Sequence, residues 1–299
     1  MTYLGIDVGG TKVALQTDSG DGGTQPRTAV FSWPRTSSVA DDLEALARNV
    51  RALLDDIPQP VEAVGVAMPA TVDPAGRVTT WPGRPSWTGL DLRAALHSLF
   101  PRSSVLWADD GDLAALAEAD EANCQDVVYL GVGTGIGGGI VLDGRPCPGT
   151  ARGSCEVGHV IVDLAGPLCD CGRRGCVQAV ASGPATLRRA GRLRGEPVSF
   201  AVLTEGLRQE RDWAVTVVGG SCDALAVALV NLNELVHPAL ALIGGGFADG
   251  LPGFADMVAS RAHALARSGH PVAPVRAAAL GGLSSLRGAV LLARGAHPG

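Results

Sequence analysis

Cys169, Cys171 and Cys176 crowd into the stretch LCDCGRRGCVQ, and His159 precedes them in SCEVGHVIVD, giving the spacing His-x9-Cys-x-Cys-x4-Cys. Three thiolates and one imidazole form a closed tetrahedral donor set that suits a structural Zn2+ ion, and Gly172 and Gly175 let the chain turn tightly around it. Buried cysteines with no metal are the competing reading. A metal-bound histidine keeps a second ring nitrogen whose N–H needs an acceptor. A substrate hydroxyl is one candidate, with Glu156 close by in sequence. The remaining cysteines, Cys124, Cys147, Cys155 and Cys222, are scattered and read as small buried residues.

Two glycine-rich stretches suggest phosphate chemistry. In DVGGTK, Gly9 and Gly10 let backbone N–H groups approach a phosphate, Thr11 adds a hydroxyl, and Lys12 closes the motif. Asp7 can sit near a phosphate-bound Mg2+. A tight hairpin without a ligand explains the same residues. GTGIGGG supplies a second candidate phosphate loop at Gly133, Thr134 and Gly135. It is not a Walker loop, because no Gly-Lys-Ser/Thr follows, and it leads into a strand rather than the helix of a dinucleotide fingerprint. Gly244 and Gly245, after the strand ALALI, form a strand-end turn where an adenosine can lie, or a simple turn. WADDGD places Asp109 and Asp110 after a strand; an aspartate there can take the proton of a sugar hydroxyl, or cap a helix.

These residues need a frame. YLGIDVGG and TKVALQTDSG read as a hairpin, and YLGVGTGIGGGIVLDG repeats the phrase, which suggests two copies of one unit. Between the repeats, helical spacing in VADDLEALARNVRALLDD, a buried strand in VEAVGVAMP, a short helix in DLRAALHSLF, a strand in SVLWADD and a helix in GDLAALAEADEA alternate. Further helices are expected around 182–194 and 221–235. The expected class is α/β, with sheets covered on both faces. A small first domain is expected over 1–110 and a larger one over 111–281, with the helix at 282–296 packing back on the first.

The chain has 299 residues, 46% of them hydrophobic, with net charge -6. That balance argues against a nucleic-acid surface. The one basic cluster, LRRAGRLR, reads as a solvated helix face. MTYLGIDVGG is no signal peptide, and no stretch is expected to approach the ~20 apolar residues of a membrane span. No membrane partner and a cytoplasmic location follow as expectations, where seven cysteines are not a disulfide framework.

In order and over nearly the whole chain, DVGGTK, the Asp109-Asp110 pair, GVGTGIGGGI, CEVGH, CDCGRRGC and IGGG resemble the ROK family of sugar kinases and repressors. The resemblance implies an actin-like, hexokinase-type fold of two duplicated RNase H-like domains with a cleft between them. It also implies ATP with Mg2+, transfer of the γ-phosphate to a primary hydroxyl of a hexose-like sugar, and a homodimer or homotetramer. Asp110 matches the family's catalytic base, Glu156 and His159 match sugar ligands, and His159, Cys169, Cys171 and Cys176 match its zinc site. Repressor members carry an added N-terminal helix-turn-helix; this chain starts at its first strand, so it looks like a kinase. A non-catalytic sugar sensor is the alternative, and polyphosphate is an alternative donor. The chain departs from the family pattern at three places. Asp109 stands where Asn is usual, Gln178 where Glu is usual, and Ala70 where Gly commonly follows Pro69. Asn and Glu there normally bond the sugar ring, so Asp109 and Gln178 redraw the donor and acceptor map of the pocket. A modified sugar or a C7-cyclitol then becomes the rival of glucose.

Overall fold

The computed structural model describes residues 1–20, 25–34, 38–149 and 152–296. In chain order the elements are β1 (Thr2–Val8), β2 (Lys12–Asp18), β3 (Thr28–Ser32), α1 (Val39–Leu54), β4 (Val61–Ala67), β5 (Thr71–Val72), β6 (Val78–Thr80), α2 (Leu92–Leu99), β7 (Ser104–Ala108) and α3 (Asp110–Glu121). There follow β8 (Val127–Val132), β9 (Ile136–Leu142), β10 (Arg145–Cys147), α4 (Val177–Ala181), α5 (Gly183–Arg194), α6 (Phe200–Arg208) and α7 (Asp212–Val236). The chain closes with β11 (Leu240–Gly244), α8 (Gly246–Asp249), α9 (Phe254–Ala264), β12 (Val275–Ala277) and α10 (Ser284–Gly295).

The duplication seen in the sequence is a duplication of topology. One five-stranded sheet has the order β3-β2-β1-β4-β7, and the other has the order β10-β9-β8-β11-β12. In each, the glycine-rich hairpin is antiparallel (β1 with β2, β8 with β9) and its first strand pairs in parallel with a later one (β4, β11). The first strand is largely apolar because it lies at the sheet's centre; in β1 all residues but Asp7 are buried. This is the actin-like, hexokinase-type two-domain fold.

Contacts divide the chain into a first unit of residues 1–117, 146–154 and 283–299, and a second of 118–145 and 155–282. The division falls inside α3, beyond the boundary expected near residue 110, because α3 starts at the end of a first-unit strand and runs on. In the first unit α10 lies on β1 and β4, backbone against backbone. A Cβ on Gly65 would come 1.9 Å from the carbonyl oxygen of Ala289, and one on Gly288 would come 1.9 Å from that of Leu113. On the other face α1 buries Ala45, Leu46, Val50 and Leu53, after a capping box in which Ser38 and Asp41 bond reciprocally.

Three expectations are corrected. α7 does reach the length and apolarity of a membrane span, but 61% of its most apolar window is buried inside the protein, as befits the core helix of the second unit. Of the arginines of LRRAGRLR, Arg188, Arg192 and Arg194 are solvated. Arg189 turns inward and donates to the carbonyls of Val180 and Val217, both at 2.7 Å, and to Ser221 Oγ at 2.6 Å. Of the scattered cysteines only Cys222 is buried; Cys124, Cys147 and Cys155 are half-buried.

Candidate active site

In the first unit the register of the parallel strands sets Asp7 beside Ala67 and Ala67 beside Ala108. Three segments therefore leave the same end of the sheet: the turn Gly9–Lys12, the segment Pro69-Ala70, and the pair Asp109-Asp110. Asp109 caps α3: its Oδ1 accepts the Gly111 N–H at 2.9 Å and its carbonyl accepts from Leu113. Asp110 is thereby the first helical residue, partly buried. Burial pushes its carboxyl up to about 6; the negative charge of Asp7 adds to this, while the Gly111 N–H opposes it. Burial likewise pushes Asp7 up to about 6, against the pull of Lys12. The carboxylates whose charge raises Asp110 are thus Asp7 and, more weakly, Asp112.

Asp109 and the buried Asp112 line a pocket with Thr71, Ala70, Trp107 and Ser154. Ala70 stands at the wall of this pocket. The turn itself is held from behind: Trp33 Nε1 donates to the Gly9 carbonyl at 2.7 Å, Arg84 Nη1 reaches the Gly10 carbonyl at 3.4 Å, and the Trp33 N–H donates to the Thr11 carbonyl at 3.1 Å. Thr11 and Lys12 are exposed.

In the second unit the parallel register pairs Gly131 with Gly244, so the turn Gly133–Gly135 and the glycines Gly244 and Gly245 leave the same end of that sheet. Thr134 is exposed at the tip of its turn. Gly245 has φ +92°, and a Cβ there would lie 2.6 Å from the Val132 nitrogen, so no other residue fits. Glu156 and His159 flank a short 3-10 turn in which the His159 N–H donates to the Glu156 carbonyl at 3.0 Å. Glu156 is exposed, and His159 half-buried.

The ligand atoms of His159, Cys169, Cys171 and Cys176 all lie within 4.8 Å of one another. Cys169 Sγ is 3.8 Å from His159 Nδ1, and Cys171 Sγ is 3.6 Å from Cys176 Sγ. Sulfurs bound at about 2.3 Å in a tetrahedron stand about 3.8 Å apart, so the four residues fit a Zn2+ ion. Gln178 Nε2 donates to Cys169 Sγ at 3.4 Å, while its Oε1 would lie 3.3 Å from a Cβ on Gly135. It links the thiol cluster to the glycine turn, a contact that sequence spacing does not reveal.

The ROK family matches residues 3–296. The chain belongs to the ROK family. This ROK chain is 56% identical over 291 residues to the kanosamine kinase of Amycolatopsis mediterranei (strain S699), covering 97% of this chain and 95% of that one. It is 34% identical to an N-acetylmannosamine kinase of Vibrio vulnificus (strain CMCP6) over 82% of this chain and 83% of the relative. Among solved structures, a ROK hexokinase from Thermus thermophilus superposes with TM-score 0.88 at 30% identity, covering 98% of each chain. A Streptomyces griseus ROK glucokinase in complex with glucose and AMPPNP gives TM-score 0.78 at 26% identity, covering 99% of this chain and 100% of that one. The protein is an ATP-dependent sugar kinase.

Proposed function

We propose that this ROK kinase transfers the γ-phosphate of ATP to the primary hydroxyl of an aminohexose of the kanosamine kind. The observation that carries the reading is the pocket lined by Asp109 and Asp112 beside the base Asp110. Kanosamine is a hexose in which an amine replaces a ring hydroxyl, and that amine is protonated at neutral pH. Carboxylates accept hydrogen bonds and attract an ammonium, whereas the amide usual at position 109 offers both donor and acceptor and no charge.

Asp110, ionised, takes the hydroxyl proton while the sugar oxygen bonds to the γ-phosphorus and the bond from that phosphorus to the bridging oxygen of ADP breaks. The products are the sugar phosphate, ADP and a proton. In the first unit Gly9, Gly10, Thr11 and Lys12 are assigned to phosphate binding; in the second unit Gly133, Thr134, Gly135, Gly244 and Gly245 are assigned to nucleotide binding. Asp7, a half-buried carboxylate countered by Lys12, suits Mg2+, which would neutralise phosphate charge. Zn2+ held by the three thiolates and by His159 Nδ1 would be structural and fix the imidazole so that Nε2 faces away from the ion, available with Glu156 to sugar hydroxyls. The reaction belongs in the cytoplasm, where ATP is supplied.

The test is ADP release measured with kanosamine, glucose, N-acetylmannosamine and a C7-cyclitol. Kanosamine should exceed glucose in kcat/KM by at least about tenfold, the discrimination expected when a charged acceptor is matched or mismatched. Equal or better use of glucose would return Asp109 to the status of a tolerated variant.

A further inference from the structure

The turn Gly9–Lys12 is braced by four side chains that share no sequence motif. Asp42, on α1 and fully buried, receives Arg84 Nε at 2.8 Å, Arg84 Nη2 at 2.6 Å and Trp87 Nε1 at 2.8 Å. The fork of Arg84 is thus fixed, and its guanidinium carbon lies 4.9 Å from the centroid of the Trp33 ring. Trp33 in turn packs edge-on against Trp87, with centroids 6.0 Å apart. From this assembly Trp33 Nε1 and Arg84 Nη1 reach the carbonyls of Gly9 and Gly10.

Peptide planarity turns that anchoring into a direction. In a trans peptide the carbonyl of one residue and the N–H of the next point opposite ways. Drawing the Gly9 and Gly10 carbonyls toward the brace therefore aims the Gly10 and Thr11 N–H groups away from it. Successive N–H groups held in this way make an anion-binding concavity. We infer that Asp42, Arg84, Trp33 and Trp87 are positioning residues for phosphate transfer: they set the Gly10 and Thr11 N–H groups in place before the nucleotide arrives. The inference rests on reading Gly9–Lys12 as a phosphate-binding turn.

Trp33→Phe removes one hydrogen bond and keeps most of the ring packing; Arg84→Lys keeps the charge and loses the fork. Affinities for a non-hydrolysable ATP analogue and for AMP are measured by calorimetry, alongside the sugar KM and the thermal midpoint, with Gly10→Ala as the variant in the turn itself. Each brace variant should weaken the ATP analogue by about three- to tenfold, the scale of one net hydrogen bond. AMP affinity and sugar KM should stay within about twofold, because the loss concerns the outer phosphates. If Gly10→Ala weakens the analogue and neither brace variant does, the positioning role is overturned and the turn keeps its assignment. If Gly10→Ala leaves the analogue unaffected, the assignment of the turn fails and the inference with it. Parallel losses for analogue, AMP and sugar with a lowered midpoint would also overturn it, since a general weakening of the fold acts on all three.

Discussion

In the proposed reaction Asp110 serves catalysis and stability in opposite senses. Its carboxyl sits at about 6, above the usual 3.8, so between those values the folded chain holds a proton that the unfolded chain has released. Stability contributed by this group therefore falls as pH rises through that window and stays lower above it. Asp110→Asn should lower turnover by about 10²–10⁴-fold, the share of a general base. It should also stabilise the protein at pH 7–8 by about 1–2 kcal/mol and give no gain below pH 4, read from denaturant titrations at both pH values. The base acts when ionised, so kcat/KM should climb as pH rises through about 6. Because the charge of Asp7 helps to raise Asp110, Asp7→Asn should shift that midpoint down. Asp109→Asn should reduce the preference for kanosamine over glucose by about ten- to a hundredfold, the value of one or two mismatched polar contacts. Gln178→Glu replaces the N–H donor to Cys169 with a carboxylate beside a thiolate, so zinc should transfer to a chromogenic chelator faster than from the unmutated protein. An unchanged transfer rate would leave Gln178 no part in holding the cluster.

The elements show what a sequence displays and what it hides. Hairpins with glycine turns and the strands of the sheet centres were legible because apolar runs and turn residues are local signals. The edge strands β3 and β12, largely exposed, carry little such signal. Only the second half of α7 was read as helix, since Gly219 and Gly220 interrupt its pattern. At Gly219 a Cβ would lie 3.0 Å from Arg261 Nη2, so the arginine would have to shift, whereas at Gly220 a Cβ would meet only ordinary contact, 3.7 Å from Arg189 Nη2. The site divides likewise: each motif residue could be picked out singly, but Trp33, Asp42, Arg84 and Trp87 lie far apart in sequence and converge only in the fold. Nor does sequence show that α10 needs glycine beneath it. Gly65→Ala should destabilise by about 3 kcal/mol or more, since the obstructing atom is a backbone carbonyl that cannot rotate aside, and urea titration would show it.

At the scale of the whole molecule, each unit has its own fastening. The second carries the thiol cluster, and metal analysis of protein purified without added zinc should find one ion per chain. Stripping that ion with a chelator should lower the thermal midpoint and abolish activity together; a fully active metal-free protein would deny the site its structural role. The first unit is fastened by α10 instead, and α10 comes from the far end of the chain. This order has a consequence for biosynthesis. The ribosome makes β1, β4 and β7 early, yet the helix that lies against β1 and β4 emerges only after the whole second unit has been translated. During that interval the nascent sheet presents an uncovered backbone-lined face while residues 118–282 are free to complete their own core. The helix that finishes the first-made sheet thus leaves the exit tunnel after the whole second unit, and a nascent chain stalled before residue 283 should be the form that holdase chaperones retain longest.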